Sequence, residues 1–240
     1  TRAPTHTAMG IIMRHPVDWL LCLASIVAER ACVYSLDNGV GVTPAMGYNT
    51  WDDFRCGGIN STNVMKVADA IVRYGLDQVG YKYLGLDDCW ATGRDAQTGV
   101  IVPDPKAFPD GMKAVADYVH QKGLKFGIYT DRGTATCVGR PGSQGYEETD
   151  AQTFADWGAD FAKLDSCGGT LANGTDSWYH QYGRWADAMN KTGRQMVFSC
   201  SWAVYFTICA ARYPVGEWEE KCGRIPWEDD YISDKCHMWR

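Results

Sequence analysis

From Leu36 onward the same unit recurs along the chain: an apolar run ending in polar residues, a loop, an amphipathic segment, a glycine, and the next apolar run. The runs Ala45 to Tyr48, Tyr81 to Leu86, Lys125 to Tyr129, Asp160 to Leu164 and Gln195 to Ser199 are continuous rather than alternating in polarity, as strands buried on both faces are. Between them, helical spacing is clear. Val64, Val67, Ala68, Ile71 and Val72 share one face after a capping Asn60 or Ser61 and before Gly75. Met112, Val115, Ala116 and Val119 precede Gly123, and Trp178, Tyr182, Trp185 and Met189 precede Gly193, with a weaker pattern over Thr149 to Trp157. Strands joined by helices imply a parallel α/β sheet with right-handed crossovers. A TIM barrel and a doubly wound sheet both fit, although no G-x-G-x-x-G loop follows the first strand, which counts against a nucleotide-binding sheet.

With 45% apolar and 22% charged residues, the 240-residue chain has the composition of a globular protein, and its net charge of −6 argues against a nucleic-acid partner. Residues 1–35 read as leader and signal peptide. Arg14 and His15 precede an apolar stretch from Trp19 to Ala28, which is too short to span a membrane, and Val33 and Ser35 fit a cleavage site. Cleavage there removes Cys22 and Cys32 and leaves eight cysteines, an even set that reads as disulfides in an oxidising compartment. Sequons at Asn60, Asn173 and Asn190 agree with a secretory route, secreted or lysosomal/vacuolar, with no membrane span after signal removal.

The polar ends of the strands carry the chemistry. Asp87 and Asp88 follow the second run, Asp131 the third, Asp165 the fourth and Ser201 the fifth, so polar groups converge on the face that holds the active site in a barrel. An Asp after one strand is often only a cap or turn residue; three strands in succession favour a site. Trp51, Trp90, Tyr129 and Trp202 lie at the same ends, and carboxylates beside aromatic rings suit sugar binding. There is no G-x-S-x-G elbow, and His120, His180 and His237 do not have metal-ligand spacing, which disfavours serine hydrolases and metal hydrolases.

The segments LDNGVGVTPAMGYNTWDDF, YKYLGLDDCW, FGIYTDRG, FAKLDSCG and FSCSWAVY resemble, in order, the α-galactosidase and α-N-acetylgalactosaminidase family of retaining glycoside hydrolases (melibiase type). The resemblance implies a TIM (β/α)8 barrel, of which residues 36–240 hold the first five βα units as a truncated N-terminal part of the catalytic domain. It implies that Asp165 is the nucleophile, that Asp87 and Asp88 bind the axial 4-hydroxyl and the 6-hydroxyl, and that Trp51 and Tyr129 form pocket walls. Lys163, two residues before Asp165, shares its strand face, where a cation holds the carboxylate ionised and can donate to a sugar hydroxyl. Arg240 matches a further sugar ligand in a C-x-x-W-R motif. The general acid/base is expected four residues beyond it, roughly 5 Å from the nucleophile in a retaining pair.

The resemblance also pairs Cys56 with Cys89, Cys137 with Cys167 and Cys200 with Cys236, leaving Cys209 and Cys222 to pair with each other in an apparent insertion, Thr207 to Ser233. Ser201, Val204 and Tyr205 face the sugar's 2-position by the same likeness: small Ser201 leans toward N-acetylgalactosamine, and the bulkier Val204 blurs that lean. The leading expectation is hydrolysis of terminal α-galactosyl residues, with α-N-acetylgalactosaminidase as the alternative. If the protein ends at Arg240, a non-catalytic galactoside-binding protein is the further one. The resemblance implies no cofactor and no metal; an α-galactoside is the expected partner, and a homodimer is a possible assembly.

Overall fold

A computed structural model describes residues 38–167, 178–201, 204–214, 217 and 235–239. The leader and signal segment, Asn173, Trp202, Cys222 and Arg240, and the side chain of Tyr205, lie outside the described part.

The strands are β1 (Gly47–Asn49), β2 (Tyr83–Gly85), β3 (Ala91–Arg94), β4 (Ile101–Pro103), β5 (Lys125–Asp131), β6 (Phe161–Asp165), β7 (Val197–Cys200) and β8 (Met238–Trp239). The helices are α1 (Trp51–Gly58), α2 (Ser61–Arg73), α3 (Gly111–Gln121), α4 (Glu147–Trp157), α5 (Trp178–Lys191) and α6 (Val204–Ala210). Six strands form one sheet in the order β1-β2-β5-β6-β7-β8, each paired in parallel with its neighbours. That order never reverses. A doubly wound sheet reverses at its switch point, so the choice left open by periodicity falls to the barrel. Besides the five anticipated strands, β8 opens a sixth, pairing Met238 with Ser199 and Trp239 with Cys200.

Side chains alternate between the two faces. Leu84, Phe126, Ile128, Ala162, Leu164 and Phe198 point outward and are buried in one cluster with Val64, Ala68 and Ile71 of α2, Met112 and Val119 of α3, Phe154 of α4 and Trp185 of α5. A run of ring contacts passes through this layer, from Trp90 to Phe154 at 6.0 Å and from Phe154 to Trp185 at 5.8 Å. The opposite face carries Gly85, Gly127, Tyr129, Lys163 and Asp165, and leads to the strand ends. β1 lies so close to β2 that a Cβ on Gly47 would stand 2.1 Å from the Tyr83 carbonyl oxygen, which leaves glycine as the residue that fits.

Several elements differ from the periodic reading, among them α6, which it did not mark. The β3–β4 pair is an antiparallel hairpin inserted after β2, with Asp95 Oδ1 accepting the Thr98 amide at 2.7 Å in its turn. Its strands hold three or four residues with polar Thr92 and Arg94, too short and too mixed to show a period. α1 occupies what reads as loop, with a kink at Arg55 (φ 45°). The weak helix pattern near Thr149 is α4, which starts earlier, at Glu147. Asn60 caps α2 as anticipated, accepting the Asn63 amide at 2.9 Å.

Disulfides join Cys56 to Cys89, Cys137 to Cys167 and Cys200 to Cys236, with Cα atoms 5.1, 4.9 and 6.1 Å apart. Cys209 is also disulfide-bonded; the candidate partner Cys222 falls outside the described residues.

Candidate functional site

Where β2, β5 and β6 end, a cavity of about 280 Å³ is lined by Trp51, Asp87, Asp88, Tyr129, Cys137, Lys163, Asp165 and Cys167. Six of these are expected site residues, and two form one of the disulfides. Parallel register brings them together: Tyr129 pairs with Lys163 and Asp131 with Asp165, so alternate residues of β5 and β6 rise on the same face.

Lys163 is the electrostatic centre. Its Nζ donates to Asp87 Oδ2 at 2.7 Å and stands 3.7 Å from Asp165 Oδ2. The same ammonium lies 4.9 Å from the centre of the Tyr129 ring, in cation–π range. Asp87, Asp88 and Asp165 are all nearly buried, at 2%, 2% and 4% exposure, so each carboxylate depends on what it is bonded to. The Asp87 carboxylate takes the Asp88 amide on Oδ1 at 2.9 Å and Lys163 on Oδ2, and the Asp165 carboxylate takes the Ser166 amide at 3.1 Å.

Asp88 is different. Its Oδ1 accepts the Cys89 amide at 2.7 Å, while its buried Oδ2 has no hydrogen bond of normal geometry. Burial pushes its carboxyl up; the Cys89 amide, the Thr136 hydroxyl and the Val138 amide oppose that rise, and the charge of Asp87 adds to it. Burial also drives the Tyr129 phenol well up, and the surrounding carboxylates Asp165, Asp88, Asp131 and Asp87 push it further, so the phenol stays neutral. Its hydroxyl reaches Cys137 Sγ at 3.4 Å.

Two other strand-end residues lie outside this lining. Asp131 is fully buried, and its two oxygens accept the Gly133 amide at 2.8 Å and the Cys167 amide at 2.7 Å, fixing the loops that follow β5 and β6. Ser201 is buried beyond β7, with its carbonyl accepting the Tyr182 hydroxyl at 2.7 Å, and is not among the residues lining this cavity. Of the four aromatic candidates, Trp51 and Tyr129 line the cavity, and Trp202 lies outside the described residues. Trp90 belongs to the core: it is 2% exposed, lies 5.7 Å from Trp157, and donates its indole N–H to the Tyr129 carbonyl at 2.8 Å.

Two contributors escaped the sequence reading. Asn49, the last residue of β1, donates its amide to Asp87 Oδ2 at 2.7 Å, and Thr50 Oγ1 accepts the Asp87 amide at 2.9 Å. The available signal was their place: polar residues at the end of the first strand, immediately before Trp51.

Among the described residues, Asp131, Cys137 and Cys167 bring possible metal-ligand atoms together, but both sulfurs are committed to the disulfide. No described helix is long and apolar enough to cross a membrane.

Comparison with known proteins bears on the fold and the family. The probable alpha-galactosidase of Dictyostelium discoideum is 49% identical over 173 residues, covering 72% of this chain and 43% of that protein. The solved alpha-galactosidase of Saccharomyces cerevisiae is 42% identical, with a TM-score of 0.66 over 71% of this chain and 38% of that one. The structure of alpha-galactosidase from the same yeast with raffinose aligns at 41% identity and a TM-score of 0.65, covering 71% and 38%. The chain therefore spans less than half the length of these relatives, and its sheet is part of their TIM barrel. Residues 43–240 match the family model described as alpha galactosidase A, and on that match the chain belongs to the alpha-galactosidase family.

Proposed function

We propose that this chain contributes the galactose pocket and the nucleophile of a retaining α-galactosidase that hydrolyses terminal α-galactosyl residues. The observation that carries the reading is Lys163, placed 2.7 Å from Asp87 and 3.7 Å from Asp165 at the mouth of one cavity. In this reading Asp165 attacks the anomeric carbon as the bond to the leaving oxygen breaks, that oxygen takes a proton from the general acid/base expected beyond Arg240, and a glycosyl-enzyme ester forms; water, giving its proton to the same group, then cleaves the ester with the original anomeric configuration. Lys163 holds Asp165 ionised for the attack. Asp87 and Asp88 accept hydrogen bonds from the axial 4-hydroxyl and the 6-hydroxyl. Trp51 and Tyr129 bound the sugar's apolar face.

The yeast relative solved with raffinose and the alpha-galactosidase names of the relatives support a galactoside as substrate and favour it over an N-acetylgalactosaminide. Entry into the secretory pathway fits the disulfides, and a homodimer is checked by light scattering.

A mechanism-based fluorinated α-galactosyl fluoride tests the chemistry, because fluoride departs without a strong proton donor. The expected result is one covalent galactosyl label on Asp165, found by peptide mass spectrometry. A label on another side chain, or product of inverted configuration, overturns the reading. Saturable galactose binding without any label supports a galactoside-binding protein instead.

A further inference from the structure

We infer that Asn49 is a positioning residue that sets the orientation of Asp87, deciding which carboxylate oxygen meets the sugar and how far Lys163 stays available to Asp165. The inference rests on the α-galactosidase reading above and deepens it. Asn49 ends β1 in register with Gly85 of β2, and a Cβ on Gly85 would stand 3.7 Å from Asn49 Nδ2. With no side chain at Gly85, the amide reaches across β2 toward Asp87.

Both ends of the Asn49 side chain are used. Oδ1 accepts the Trp51 amide at 2.9 Å, which closes a turn, and Nδ2 donates to Asp87 Oδ2 at 2.7 Å. One side chain therefore links two proposed sugar contacts from different strands. Asp87 Oδ2 then carries two donors, Asn49 and Lys163, and Oδ1 carries the Asp88 amide. A carboxylate has about four acceptor positions, so the one left to a ligand hydroxyl lies on Oδ1. Without the amide, Asp87 loses one of the two side-chain donors that fix its Oδ2 among the described residues, and Lys163 is left to hold that oxygen, drawing the ammonium away from Asp165.

The test measures labelling of the full chain by the fluorinated galactosyl fluoride, separating the half-saturating concentration from the maximal rate. Asn49→Ala is expected to raise the half-saturating concentration roughly tenfold or more, as loss of a hydrogen bond to a charged group does, with a smaller change in the maximal rate. Asn49→Ser keeps a hydroxyl for the Trp51 turn but is too short to reach Asp87, so it should behave like Asn49→Ala. Asn49→Asp places a like charge against Asp87 and is expected to move the acid limb of the labelling profile to higher pH. In an Asp87→Ala background, Asn49→Ala should add nothing.

Parent-like values for Asn49→Ser show that the turn alone matters and overturn the inference. So does a proportional fall in both parameters that tracks folded fraction by circular dichroism, or full additivity with Asp87→Ala. Absence of any label on Asp165 in the parent chain overturns the α-galactosidase reading itself, and this inference with it.

Discussion

Two groups of wholly or partly buried acids, one within the frame and one at the pocket, show how the same residue type is put to different use. In the frame, Asp150 is fully buried and gripped by Arg94, whose Nη1 and Nη2 donate to its two oxygens at 2.7 and 2.6 Å while Ser143 adds a third bond. At the opposite end of the sheet from the pocket, Asp160 accepts from Arg194 at 2.8 Å and the Phe126 amide at 2.9 Å, and meets His120 at 2.7 Å. These charges are matched. At the pocket, Asp87 and Asp165 share Lys163, and Asp88 Oδ2 is left without a hydrogen bond of normal geometry. Acids with local cations lock the scaffold; under the function proposed above, the acids that line the cavity take a ligand's hydroxyls as well.

The sharpest way to break this comparison is to remove one acid from each group. Asp165→Asn should reduce covalent labelling to the level of an unreacted control while leaving urea unfolding close to that of the parent; labelling at the parent rate would remove Asp165 from its role. Arg94→Met should do the reverse to stability. It strands the buried Asp150, and an unfolding curve should show a loss of about 3–5 kcal/mol, the usual cost of breaking a buried pair. A loss below about 1 kcal/mol would mean that water reaches the site.

Smaller effects sharpen the contrast. Asn60→Ala removes the cap of α2 and should cost about 1 kcal/mol in the same assay. Asp88→Asn should stabilise the fold at neutral pH. Because burial raises this carboxyl, the folded state holds the proton more tightly than the unfolded chain does, and the stability tied to Asp88 falls as pH rises through the raised value. The advantage of Asn should therefore shrink as pH is lowered toward the ordinary aspartate value of 3.8. Thermal melts across that range check the sign, and a variant less stable than the parent at neutral pH would contradict it. The gain in stability should come with weaker galactose binding.

Much of this was legible in the amino-acid order. Continuous apolar runs mark buried parallel strands, and the acids that follow them mark the rim, because a strand's last inward-facing residue has few other places to go. Lys163 and Asp165 could be placed on one face from period two alone. What stayed hidden depends on contacts across the sheet. Trp90 sits beside Asp87 and Asp88 in sequence and looks like a sugar platform, yet its ring turns the other way, into Phe154 and Trp157. Asn49 acts on a residue 38 positions away, which no local pattern records. The β3–β4 hairpin is too short for periodicity, and its Arg94 gains meaning only beside Asp150.

The three bridges have a consequence for how such a chain is made. They close loops of similar span, 33, 30 and 36 residues, and none of these three encloses another of the three, although the bonded Cys209 lies within the last. Each can thus be sealed as soon as its own stretch has emerged from the ribosome, without waiting for distant thiols. By the chain-entropy relation each removes about 3–4 kcal/mol of freedom from the unfolded ensemble. The first two bridges can thus close before any thiol of the third has been made, and growth of the sheet one neighbour at a time follows the same order.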